Sequence, residues 1–302
     1  AHSSNHKAIE LLGLGRDSLR EIPVNADYQI DISSLEKTIA ADRAAGHYPF
    51  CIIGNAGTVM IGAFDDLNAL ADICKREKLW LHVDGAFGAL AALSDDLRPL
   101  VTGMERADSL AFDLHKWLHL PIEAGCVLIR DAEQHTRTFA VNPDYLTHGE
   151  RGLASGPTWF GNLGIQLTRG FRSLKCWFSI KTHGVDLYAR LIRQNVEQAR
   201  YLATLVDDSP ALERLAPVPL NIVCFRYVKT GLDETQLNVL NNELLMQLQE
   251  SGTAVVSNAV IQGRFGLRAA VTNHRSHRED FDILVEKVIE LGEQIVESQF
   301  VS

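Results

Sequence analysis

The sequence has no CxxC pair, no basic cluster, no apolar run of membrane-spanning length and no internal repeat. Each absence removes a class of protein. Five cysteines (Cys51, Cys74, Cys126, Cys176 and Cys224) are scattered along 302 residues, which excludes the spacing of a zinc site or a disulfide frame. They read as reduced, mostly buried thiols of a cytoplasmic protein. Acidic residues outnumber lysine and arginine, 38 to 29, and the formal charge of −9 argues against nucleic acid or an anionic membrane as partner. The longest apolar candidate, "PFCIIGNAGTVMIGAF", is broken by Asn55 and three glycines, so no membrane span is expected. The first residues, "AHSSNHKAIE", lack the apolar core of a secretory signal. What is present is 46% hydrophobic and 22% charged, enough to bury a substantial core in about two domains.

Strands and helices alternate through the first half, which predicts an α/β layer with a mostly parallel sheet. "PFCIIG" (49–54), "LWLHVDG" (79–85), "SLAFDL" (109–114) and "GCVLIRD" (125–131) read as strands. "DDLNALADICKREK" (65–78) reads as a helix, with aspartates at its start and basic residues at its end. Residues 132–158 are polar, contain glycine and proline and hold no period, so they are expected to form a long functional loop. Helical patterns follow at 162–182 and 184–207. The tail then alternates strand (220–228), helix (233–251), strands (253–258 and 264–272) and helix (278–298). This predicts two units: a large domain over 1–183 and a smaller α+β domain over 184–302.

The chemistry concentrates at two strand ends. In "LHVDGAFG", His82 and Asp84 share one face of the strand and Leu81 and Val83 the other. Asp84 stands where the strand ends, the place where open α/β sheets bind ligands, although it reads equally as a helix cap. "SLAFDLHKWLHL" carries Lys116 just beyond the following strand, with few other charges nearby. A lysine and an aspartate from two strand ends can face one cleft, and that pairing suits pyridoxal 5'-phosphate: the amine condenses with the aldehyde and the carboxylate pairs with the ring nitrogen. A lysine in such a pocket loses part of its preference for being charged, which makes it a usable nucleophile. His115 and His119 are spaced as on a metal-binding helix turn, but no HExxH glutamate or third ligand accompanies them, so no metal is expected.

"HVDGAFG" and "ADSLAFDLHKW" closely resemble the group II pyridoxal-phosphate-dependent amino-acid decarboxylases, the aromatic-L-amino-acid decarboxylase family. "AHSS", "GNAGTVMIGAFDDL", "NPDYL", "RGFRSLKCWF" and "IVCFR" follow in that family's order and spacing, so the resemblance covers essentially the whole chain. It implies a fold type I, PLP-dependent transferase-like large domain and a smaller C-terminal α+β domain. It implies that Lys116 holds the cofactor, that Asp84 binds its ring nitrogen and that His2 stacks on the ring and aligns the substrate carboxylate. It further implies that Thr58, Ala86 and His115 line the cleft, with Ser109 on the strand that leads to the lysine. Tyr145, on the long loop, is implied to protonate the α-carbon after carbon dioxide leaves. Asp113 departs from relatives that carry asparagine there, and a carboxylate would repel the cofactor phosphate. Phe87 and Thr168 stand where aromatic-amino-acid decarboxylases often carry tyrosine and glycine, which leaves the substrate open.

The expected activity is decarboxylation of an L-amino acid, aromatic or related, to its amine through an external aldimine and a quinonoid. The alternatives are the same chemistry on glutamate, cysteine sulfinate, histidine or a diamino acid, or a catalytically silent assembly subunit. The resemblance also implies a homodimer with the site at the interface. Relatives carry a long portion ahead of "AHSS" that supplies strands and the main phosphate loop, so the expectation is a fragment or a chain with a companion.

Overall fold

The computed structural model describes residues 2–140, 151–152, 155–156 and 159–300. Two helices come first. α1 (Ser3–Leu11) has no buried residue, whereas α2 (Ile32–Ala44) buries Leu35 and Ile39. Asp31 caps α2 by accepting from the Ser34 amide at 2.7 Å.

The first sheet contains β1 (Cys51–Asn55), β2 (Trp80–Asp84), β3 (Ser109–Asp113) and β4 (Gly125–Ile129), side by side in that order. β1, β2 and β3 run parallel, while β4 returns antiparallel to β3. β1 reaches β2 through α3 (Leu67–Glu77), which Asp66 caps at the Ala69 amide and Lys78 ends in a left-handed conformation (φ 57°). α3 presses Leu67, Leu70, Ala71, Ile73 and Cys74 onto the sheet. Burial alternates along β2 as its sequence requires, with Leu81 and Val83 buried and His82 and Asp84 half-exposed. β3 runs directly into α4 (Leu114–Trp117), so the lysine turn begins where the strand stops.

The segment expected to be a loop from 132 begins instead with a helix, α5 (Ala132–Phe139). Asp131 explains the correction: its carboxylate accepts from the Gln134 amide at 2.9 Å and supplies the first turn with a cap. α6 (Arg172–His183) starts later than the expected 162, because Gly161, Gly164 and Gly170 interrupt the pattern. α7 (Val185–Asp208) follows at once, separated by Gly184 at φ 75°.

The second sheet holds β5 (Leu212–Arg214), β6 (Ile222–Tyr227), β7 (Ser257–Ile261) and β8 (Arg264–Ala270), ordered β5-β6-β8-β7 and antiparallel throughout. α8 (Glu234–Glu250) and α9 (Arg278–Gln299) complete the described elements. β7 lies at 257–261, not 253–258. Gln262 (φ 52°) and Gly263 (φ 80°) form a two-residue turn of the kind that matches strand twist, and it pairs Ile261 with Arg264.

One core surrounds the parallel sheet and another fills the space between the second sheet and its helices. α7 serves both: Tyr188, Ile192 and Val196 pack in the first, and Ala199, Leu202 and Val206 in the second. A third, smaller cluster joins Ile61 and Ala63 to Ile222, Cys224, Ala259 and Ile261 on the opposite face of the second sheet. No described helix is long and apolar enough to cross a membrane.

Candidate active site

Register brings the strand-end residues together. Asp84 lies opposite Asn55 on one side and Ala111 on the other, so the carboxyl ends of β1, β2 and β3 form one rim. Backbone bonds continue the rim past the strands. Ala56 donates to the Asp84 carbonyl (2.9 Å), Gly85 to the Ala111 carbonyl (2.9 Å) and Asp113 to the Ala86 carbonyl (3.1 Å). Gly57 and Gly88 touch across this rim. A Cβ on Gly88 would stand 2.5 Å from the Ala56 carbonyl oxygen, so no larger residue fits.

Asp84 does not cap a helix. Its Oδ1 accepts from the Ala86 amide two residues on, at 3.2 Å, and the short 3-10 turn that follows begins at Gly88. Its Oδ2 makes no bond to a described residue. Lys116 projects from α4 with 41% of its side chain exposed, and its Nζ lies 2.8 Å from Asp113 Oδ2. The Lys116 side chain is open to solvent on one side and paired on the other. It also gives Asp113 a partner, since the carboxylate expected to repel a phosphate engages the lysine.

His115 accepts from the Ala124 amide through Nδ1 at 3.2 Å, which assigns its proton to Nε2, 3.9 Å from Asp113 Oδ2. Leu114 donates to the Ala124 carbonyl at 2.8 Å, so β4 holds the lysine turn from its outer side. Trp117 holds it from within. Its ring is fully buried, stacks on Phe87 at 4.5 Å, and donates from Nε1 to Asn195 Oδ1 of α7 at 3.0 Å. His119 adopts φ 54° and turns away from His115 to meet His274 edge-on at 4.9 Å. Burial, assisted by the neighbouring His274, pulls the His119 imidazole below its ordinary pKa.

The remaining sequence candidates are not all at this rim. Thr58 is, on the turn after β1, where its Oγ1 accepts from the Ala63 amide at 3.0 Å. Ser109 is buried at the opposite end of β3, its Oγ 2.7 Å from both Trp80 Nε1 and His82 Nδ1. The tryptophan can only donate, so Ser109 Oγ accepts from Trp80 Nε1, and the tautomer of His82 sets the direction of the second bond. Burial holds His82 below its ordinary pKa despite the opposing pull of Asp84. His2 caps α1, accepting from the Ser4 amide at 3.2 Å, and none of the rim residues is among its partners. Tyr145 lies outside the described residues. Sequence reasoning missed Asn195 and the Phe87–Trp117 stack, which join elements distant in the chain. A tryptophan directly after the candidate lysine was the one available signal.

A surface groove of about 610 Å³ is elsewhere, between Leu128 of β4 and Ala92, Val101 and Met104. It lies toward the amino end of β3, away from Lys116, and β4 borders it with exposed Leu128.

Parallel strands joined through α3, a lysine turn at the carboxyl end of β3, and a smaller antiparallel sheet with its own helices make up fold type I of the pyridoxal-phosphate-dependent enzymes. Residues 1–228 match the pyridoxal-dependent decarboxylase conserved domain, and the chain belongs to that family. It is 36% identical to an aromatic-L-amino-acid decarboxylase of Bacillus atrophaeus, over 97% of this chain and 61% of the relative. It is 34% identical to a histidine decarboxylase of Rattus norvegicus, over 93% of this chain and 41% of the relative. Among solved structures, Oryza sativa TDC with PLP and tryptamine superposes with a TM-score of 0.92 at 30% identity, covering 98% of this chain and 61% of that one. The chain thus spans well under two thirds of the length of these relatives.

Proposed function

We propose that the protein is a pyridoxal 5'-phosphate-dependent L-amino-acid decarboxylase acting on an aromatic substrate, with Lys116 holding the cofactor. One observation carries this reading: the amine of Lys116 and the carboxylate of Asp84 stand on the carboxyl ends of the adjacent strands β3 and β2. The donor set fits the cofactor. An accessible amine suits an aldehyde, and a carboxylate with one oxygen unengaged suits a protonated ring nitrogen. Bound there, the cofactor supplies an electron sink for the bond that releases carbon dioxide.

The chain's own residues do the rest. Asp84 keeps the ring nitrogen protonated, and Thr58, Ala86 and His115 bound the cleft. His2, on α1, covers the ring face and aligns the substrate carboxylate, which requires α1 to seat against the rim. Ser109 supports β2 and β3 from their far end through His82 and Trp80. Tyr145 delivers a proton to the α-carbon. Residues 1–183 form the cofactor-bearing unit and 184–302 the smaller one, and two copies share the site.

The likeness to a histidine decarboxylase supports histidine as the second substrate reading. A panel of aromatic, imidazole, acidic and diamino L-amino acids, given to the intact protein with pyridoxal 5'-phosphate, tests both. The expected result is carbon dioxide and an equal amount of amine from an aromatic member. Carbon dioxide from histidine alone would replace the substrate, and none from any member would leave only the silent-subunit reading.

A further inference from the structure

Arg268 stands out in the second sheet because it is a half-buried cation with no carboxylate partner among the described residues. The neighbouring arginines behave otherwise: Arg226 pairs with Glu213 and Glu234, and Arg264 with Glu213. Arg268 reaches across to the first sheet. Its Nε donates to the Met60 carbonyl at 3.1 Å, one terminal nitrogen donates to the Val59 carbonyl, and the other donates to Ser257 Oγ at 3.2 Å. Burial lowers its pKa from the ordinary arginine value. Placing a guanidinium there is costly unless its donors are satisfied, and the two carbonyls supply that satisfaction.

Val59 and Met60 form the tip of the turn that follows β1. Neither carbonyl accepts a backbone amide; the Val59 carbonyl is left to the arginine, and the Met60 carbonyl is shared between the arginine and the Cys224 thiol, which donates at 3.5 Å. The turn closes on itself through Thr58: the Thr58 amide donates to the Ala63 carbonyl (2.9 Å) and the Gly62 amide to the Thr58 carbonyl (2.8 Å). Ala63 in turn donates to Thr58 Oγ1 at 3.0 Å, leaving the threonine O–H proton without an acceptor among the described residues. Beneath the tip, buried Ile61 and Ala63 pack on Ile222, Cys224 and Ala259 of the second sheet.

We propose that Arg268 is a positioning residue: it clamps the 58–62 turn and so fixes the Thr58 hydroxyl at the rim formed by the carboxyl ends of β1, β2 and β3. This deepens the proposed function, because it makes a C-terminal residue set the geometry of the cofactor cleft. The clamp needs two donors in a fixed fork, which lysine lacks and glutamine cannot span.

The test has two arms on the intact protein. In the cofactor-free state, hydrogen exchange of the Thr58, Gly62 and Ala63 amides should rise about tenfold in Arg268→Gln and less in Arg268→Lys, while amides of the β7–β8 hairpin stay as they were. Unchanged exchange at the turn, or equal loosening of the hairpin, would overturn the clamp. In the second arm, capture of pyridoxal 5'-phosphate at Lys116 is read by borohydride trapping in Arg268→Gln, Thr58→Val and the double variant. If the arginine acts through Thr58, both single changes weaken capture and the double variant is no worse than Thr58→Val. Multiplying losses, or no loss in Thr58→Val, would contradict the proposal. A wild-type protein that traps nothing at Lys116 would refute the proposed function, and the exchange arm would still decide the clamp.

Discussion

Trp117→Phe tests how the lysine turn is held, because Trp117 follows Lys116 directly and ties it to α7. Phenylalanine preserves an aromatic face for Phe87, which stacks at 4.5 Å, but removes the Nε1–H that Asn195 accepts at 3.0 Å. Asn195 is fully buried, and its Nδ2 reaches Gln198 Oε1 and the Asn273 carbonyl only at 3.4 Å, so nothing replaces the lost donor at Oδ1. An acceptor stranded in this way costs about 1–3 kcal/mol. The smaller ring vacates roughly 40 Å³, which adds about 1 kcal/mol if the cavity does not collapse. The sum is a loss of about 2–4 kcal/mol. Urea unfolding followed by circular dichroism reads it as a fall in midpoint with the slope unchanged. Removing both partners, in Trp117→Phe with Asn195→Leu, should restore part of the loss, since the stranded Oδ1 is gone and only the two long 3.4 Å contacts of Nδ2 are given up. A single-variant loss under about 0.5 kcal/mol, the scatter of surface substitutions, would refute the reasoning.

Asp84→Asn should leave aldehyde trapping at Lys116 detectable while slowing carbon dioxide release about 100-fold or more, as loss of a charge-stabilising group does; equal losses in both would deny Asp84 a role in the chemistry. Burial pushes the Cys51 and Cys224 thiols up to about 11 and Cys74 up to about 12, from an ordinary value of 9.0. The unfolded chain therefore sheds these protons first, so stability should be intact below pH 9.0 and fall as pH rises from there toward 11. His82 and His119 have the opposite sign. Their folded pKa values lie below the ordinary 6.5, so their contribution is present above pH 6.5 and is lost as pH falls below it. Denaturant midpoints across pH check both limbs, and a flat profile would contradict them. Tyr145→Phe should retain carbon dioxide release but divert product from amine to aldehyde, with ammonia and peroxide, when oxygen is present. An unchanged amine-to-aldehyde ratio would remove Tyr145 from the proton transfer.

The strand-end placement of Asp84 and Lys116 was legible because local patterns determine it. Alternation in "LHVDG" fixes which side chains share a face, and a strand running straight into "HKW" puts the lysine at its carboxyl end. Helix α3 was legible from its aspartate cap and basic last turn. What was hidden depends on partners far away in the chain. The Arg268 contact with Val59 and Met60 spans more than 200 residues, and nothing near "GLRAAV" marks that arginine as different from Arg226 or Arg264. The Asp113–Lys116 contact was hidden as well, since it is settled by the tightness of α4 rather than by residue type. The β7 boundary was misplaced because the Gln262–Gly263 turn, not the apolar run before it, sets the register.

The central claim is that Lys116 carries the cofactor, and borohydride reduction of the protein loaded with pyridoxal 5'-phosphate, followed by peptide mapping, tests it most directly. The account predicts one stoichiometric pyridoxyl group in the peptide containing His115–Trp117. Lys175, whose Nζ already donates to the Pro121 carbonyl at 2.7 Å, and Lys181 should stay unlabelled. Label on either of those lysines, with Lys116 recovered unmodified, would contradict the account.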